Sequence, residues 1–258
     1  MAIRAARRPA IAIALLAGAL SIPSGATAED SPARSHTWEL DLGLSYLSTT
    51  GNSDTKSLGF SGHYADKWGL WGLDAAASAI RASEDGTTTA ENYDASVRGS
   101  RDLSDRLALT AGLSGHKDRL AGIDLRTQAD LALRWKLTDS DRWTASALAG
   151  PSWVREDPVD DAADNHLGAI LQLDGAYTIS ENAGATARVS YLPNLEDATD
   201  YRAETELGLQ AAINRRLAMK LGYLWLFDNQ PVPGFDKSDT RTTASLVLRL
   251  GTRKSESD

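Results

Sequence analysis

Apolar and polar residues alternate with a period of two in about twelve stretches of this chain, and the better stretches run for about ten to thirteen residues. The first presents Trp38, Leu40, Leu42, Leu44 and Tyr46 on one face and Glu39, Asp41, Gly43 and Ser45 on the other. A period of two marks a β-strand, because successive side chains point to opposite faces. Strands of soluble sheets usually run about five or six residues. Runs about twice that long match strands that cross a bilayer obliquely. The pattern predicts an all-β fold: an up-and-down antiparallel transmembrane β-barrel of about twelve strands. A soluble β-sandwich is the alternative, and it requires shorter strands and less even signals.

The ends read differently from the middle. Arg4, Arg7 and Arg8, the apolar run of residues 11–20 and the small residues Ala26, Thr27 and Ala28 have the form of a signal peptide cleaved after Ala28. Residues 1–28 are therefore expected to be removed, and residues 37–251 to form one barrel domain. No apolar stretch of about 20 residues follows Ala28, so no transmembrane helix is expected. The chain has no cysteine, which removes disulfides, thiol catalysis and cysteine metal sites together. A net charge of −8 argues against nucleic acid as a partner. Mean hydropathy is −0.32 although 42% of residues are hydrophobic, as expected where half of every strand is polar.

The connections follow a rhythm of their own. Residues 66–69, 102–105, 138–141, 180–182 and 214–216 read as tight polar turns. Longer links are expected at residues 83–91, 156–165, 193–200 and 228–238. Short turns on one rim and long loops on the other are the outer-membrane barrel layout, with the turns and both termini periplasmic. Trp38, Trp68, Trp71, Trp135, Trp143 and Trp225 fall near expected strand ends, where amphipathic rings favour the bilayer interface.

The polar faces hold the candidate functional residues. They carry Glu39, Asp41, Asp74, Asp94, Asp124, Asp130, Asp174, Glu204 and Glu206 against Arg98, Arg126, Arg134, Arg188, Arg202, Lys220, Arg241 and Arg249. A mid-plane Arg or Lys facing lipid costs about 2–4 kcal/mol, so these groups are expected to face the lumen. Their near balance of sign points to a salt-bridged interior rather than a selectivity ring of one sign. Arg98, Arg126, Arg134, Arg188, Glu204 and Glu206 are the pore-lining candidates. No metal site is expected, although the acidic loop at residues 156–165 offers Asp157, Asp160, Asp161 and Asp164 as weak oxygen ligands for a hard cation. His63, His116 and His166 lie on polar faces without a nucleophile motif, so no enzyme activity, catalytic residue or cofactor is expected. Glycines within the strands are read as structural.

Three segments carry a resemblance. TTGNSDTKS (residues 49–57), HKDRLAGIDLRT (116–127) and LWLFDNQPVPGFDKSDTRTTASLVLRL (224–250) resemble the salt-induced outer membrane proteins, a family catalogued as domain of unknown function 481. The resemblance covers nearly all of the chain after the leader. It implies an outer-membrane β-barrel of a Gram-negative bacterium, linked to salt or osmotic stress, and it supplies no catalytic or binding residues. Two functions stay open: a narrow passive channel for ions or small solutes, and a closed, structural or stress-adaptive barrel. In the second, acidic outer loops bind lipopolysaccharide, cations or partners. Outer-membrane lipid, lipopolysaccharide and the barrel-assembly machinery are the expected partners of a monomer.

Overall fold

Twelve strands hydrogen-bond in sequence order, and the last pairs with the first, closing the sheet into a barrel. The structure, a computed structural model, describes residues 36–49 and 55–252. The expected signal peptide and the tip of the GNSDT segment lie outside the described residues. The strands are β1 (His36–Thr49), β2 (Thr55–Trp68), β3 (Trp71–Glu84), β4 (Thr87–Asp102), β5 (Leu107–Asp118) and β6 (Ile123–Asp139). They continue as β7 (Trp143–Pro158), β8 (Asp164–Ser180), β9 (Ala183–Pro193), β10 (Tyr201–Ala212), β11 (Leu217–Asp228) and β12 (Ser238–Gly251). Every pairing is antiparallel, and the closing seam of β1 with β12 runs from Glu39↔Gly251 to Leu44↔Leu246. Closure leaves no unpaired edge, which is the condition for a sheet to stand in lipid.

Parity decides the two faces. Leu44, Phe60, Leu113, Leu131, Leu173, Leu207 and Leu221 all share the outward face, and each is between 45% and 57% exposed. A soluble domain would bury such residues; a band of them around a closed barrel is a lipid-facing surface. Aromatics bracket the band. Trp143 lies tilted against Tyr177 with ring centroids 4.4 Å apart near one rim, and Arg101 sits 5.3 Å over the ring of Trp71 at the same rim. Tyr191, Tyr201, Phe227 and Trp225 form a row near the other, with centroids 5.6 to 5.9 Å apart. The molecule is a transmembrane β-barrel.

The rim where β1 begins and β12 ends, the terminal rim, also carries the tight turns. On the opposite rim, residues 194–200 and 229–237 form loops as expected, and a short 3₁₀ turn (Arg119–Ala121) joins β5 to β6. Two links depart from expectation. Residues 156–158 and 164–165 belong to β7 and β8, which leaves only residues 159–163 between these strands. Residues 83–91 are not a loop: β3 and β4 run on to a two-residue turn at Asp85-Gly86, where both residues have positive φ, 48° and 81°. Such an Asp-Gly pair is the favoured residue choice for a two-residue hairpin.

Candidate functional site: the barrel lumen

In a closed barrel, a side-chain bond between strands that are not neighbours has to cross the interior. Three sets of such bonds lie towards the loop rim. Arg126 on β6 pairs with Glu156 on β7 and also reaches Asp228 on β11 at 3.0 Å. Arg202 on β10 donates to Gln128 on β6 at 3.2 Å. Arg241 on β12 lies 3.5 Å from Asp94 on β4, which also contacts His116 at 2.7 Å and accepts from Ser78 at 3.0 Å. The barrel is thus braced across its width by charge-assisted contacts.

Below these braces, Arg98 on β4 spans over β5 to grip Asp130 on β6 through both carboxylate oxygens, at 2.5 and 2.8 Å. Gly112 on β5 makes room for that fork: a Cβ there would sit 2.5 Å from the Asp130 carboxylate and 2.6 Å from the Arg98 guanidinium. Nearer the terminal rim, His63 contacts Asp74 at 2.9 Å, while Arg188 pairs with Asp174 at 2.7 Å and lies 3.7 Å from Glu206. Arg134 stands in this lower group without a hydrogen bond or ion pair among the described residues, and its Nε is buried. Glu204 lies on the inward face of β10, within electrostatic reach of Arg202.

All six pore-lining candidates face the lumen, and four of them, Arg98, Arg126, Arg188 and Glu206, take part in the ionic contacts above. The four carboxylates of the acidic segment do not come together. Asp157, next to last in β7, pairs with Arg155 at 2.9 Å, Asp164 opens β8, and Asp161 accepts from the backbone of Ala162. Among the described residues, no three His, Cys, Asp or Glu side chains gather as a metal set.

The interior is less uniform than its charges foretell. Ala132, Leu148, Ile170 and Leu192 form a buried apolar cluster on the inward face of β6 to β9, with Val154 and Gln128 buried beside them. The facing wall is built of small residues, including Gly43, Ser61, Ala76 and Ser96. On it, the inward-facing Ser61, His63 and Ser96 are exposed to solvent; Arg188, Glu206 and Lys220, on β9, β10 and β11, are exposed as well. One side of the lumen holds a closely packed apolar cluster and the other carries exposed polar side chains. A cavity of about 290 Å³ opens at the terminal rim, lined by Asp74, Arg98, Ser100, Arg106 and Arg134. Another of about 760 Å³ opens at the loop rim.

Fold and site together define a transmembrane β-barrel with an ion-paired lumen. The chain belongs to the family described as "Protein of unknown function, DUF481", whose model matches residues 42–249. No match is found among curated proteins. Among solved structures, the chain is similar to the NanC porin, at 14% identity and a TM-score of 0.46, over 83% of this chain and 99% of that one. It is also similar to an outer membrane channel from Pseudomonas putida F1, at 13% identity and a TM-score of 0.48, over 86% and 97%. The KdgM porin matches at 10% identity and a TM-score of 0.40, over 83% and 98%. Likenesses of this degree assign no function to the chain.

Proposed function

We propose that this protein is a narrow outer-membrane channel for ions and small solutes, with the turn rim periplasmic and the loop rim outside the cell. One observation carries the reading. Inward-facing polar side chains on the small-residue wall, Ser61, His63 and Ser96, are solvent-exposed inside a closed barrel, which supports a water-filled passage along it. The balanced charges set a narrow bore of weak selectivity rather than a ring of one sign. A role in salt stress, which the resemblance in the sequence implies, belongs to the same proposal, as a passage needed when external ionic strength changes.

Single-channel recording of the refolded chain in a planar bilayer tests it, with insertion checked by heat-shifted gel mobility. Small, discrete, reproducible current steps are expected. Confirmed insertion with no current would reject the channel and support a second reading, a closed structural barrel whose loops meet lipopolysaccharide. The packed wall around Leu148, which is 1% exposed, is what favours that second reading.

A further inference from the structure

The 760 Å³ cavity at the loop rim has a composition unlike the rest of the lumen. Its apolar wall comes from Ile80, Leu224 and Leu226, and it is roofed by Phe235 from the loop at residues 229–237. That ring reaches across the mouth to lie against Gly122, whose φ of +79° and lack of a side chain make the approach possible. Three carboxylates line the same space, Asp118, Asp236 and Asp239, against one cation, Arg241, which already faces Asp94 at 3.5 Å.

These carboxylates are not equivalent. Asp118 is spent on the fold: one oxygen accepts from the backbone N–H groups of Leu120 and Ala121 at 3.1 Å, the other from Asn92 Nδ2 at 2.8 Å. The side chains of Asp236 and Asp239 make no hydrogen bond or ion pair among the described residues. Asn92 supplies a separate pointer. It lines the cavity, is 7% exposed, and its Oδ1 is a buried acceptor without a donor. Buried acceptors ordinarily find a partner, and one left open beside a cavity marks a place for a ligand's N–H or O–H.

We infer that this cavity binds a small organic ammonium compound. Its N–H groups meet Asn92 Oδ1 and the carboxylates of Asp236 and Asp239, and its hydrocarbon body lies against Ile80, Leu224, Leu226 and Phe235. The excess of carboxylates rejects an anion. The apolar wall offers nothing to a bare metal ion, which would need oxygen on every side. The inference deepens the channel reading by naming a solute class for its outer mouth, but its test reads binding and does not depend on current.

The experiment titrates the refolded full chain in detergent micelles with n-butylammonium, butyrate and butanol, three probes sharing one hydrocarbon body, followed by ligand-observed saturation-transfer NMR. Saturable binding of butylammonium alone is expected. The double variant Asp236→Asn, Asp239→Asn should weaken it at least about tenfold, the scale of one lost charge-assisted contact. Both positions are exposed, so folding should survive, and heat-shifted gel mobility checks that it does. Asn92→Ala should weaken binding further. Equal binding of the three probes, no saturable binding, or a double variant that binds like the wild type would each overturn the site. A silent bilayer with butylammonium still bound would remove the channel reading and leave this one standing.

Discussion

Arg126 is where one substitution should change both the stability and the bore of the barrel. Its side chain is 12% exposed and holds Glu156 and Asp228, themselves 22% and 20% exposed. Arg126→Met keeps most of the volume and removes the guanidinium, leaving two largely buried carboxylates without their cation. Breaking a buried pair by removing one partner costs about 3–5 kcal/mol. Here the carboxylates keep some access to water, and Glu156 also feels the charge of Arg202, so a loss of about 2–3 kcal/mol is expected after that discount. The assay is urea titration of the protein in lipid vesicles, in a cycle with Asp228→Asn and Glu156→Gln. The triple variant should recover at least about 1 kcal/mol relative to the sum of its parts, because no charge is then stranded. Removing the brace from β6 to β11 should also raise single-channel conductance. A loss below about 0.5 kcal/mol, the size of an ordinary exposed pair, with conductance unchanged, would refute the reasoning.

Other positions give simpler tests. Leu131, midway along β6 and 53% exposed on the outward face, should not tolerate Arg. At mid-membrane the cost is about 2–4 kcal/mol, visible as a reduced folded fraction in heat-shifted gel mobility. Gly150→Ala places a Cβ 2.5 Å from the Cα of Ala132, and neither backbone can move aside. A loss of about 1–3 kcal/mol in urea titration is expected, as for other overpacked sites. Asp197 ties the two long loops together: its carboxylate accepts from the hydroxyl and N–H of Thr199 at 2.7 and 2.9 Å and from Gln230 at 3.2 Å. These bonds, the Thr199 hydroxyl first, hold its carboxyl below the usual range. A lowered folded value stabilises above the ordinary pKa of about 4 and is lost as pH falls through the folded one. Hydrogen exchange at Thr199, corrected for intrinsic rate, should show constant protection from pH 7 to 5 and a loss only in stronger acid.

Parity made the wall legible in the sequence. Trp38 to Tyr46 could be assigned to lipid, and Arg98 or Arg188 to the lumen, because alternation survives any detail of tilt or register. The β3–β4 turn was missed because the polar stretch Thr87, Thr88, Thr89 lacks an apolar partner face, which hid the Asp85-Gly86 signal beside it. The apolar lumen cluster was missed for the opposite reason. Leu148 lies inside an apolar run with Ala147 and Ala149, where parity has no contrast to read. Partners across the lumen, such as Arg126 and Asp228, are 102 residues apart and meet only when β12 closes on β1. The pairing of charges was predictable as a class, but not as particular pairs.

A channel requires water to reach the small-residue wall between the braces, and the absence of cysteine from the sequence makes that directly measurable. Ser96, exposed on the inward face of β4, and Leu131, exposed on the outward face of β6, would each be replaced by Cys in separate variants. A charged, membrane-impermeant methanethiosulfonate reagent would be added to either side of a bilayer during current recording. Modification of Ser96→Cys should step the conductance down from both sides, while Leu131→Cys should stay unreactive. A Ser96→Cys channel whose thiol never reacts, or a Leu131→Cys that reacts as fast, would contradict a wet lumen enclosed by this wall.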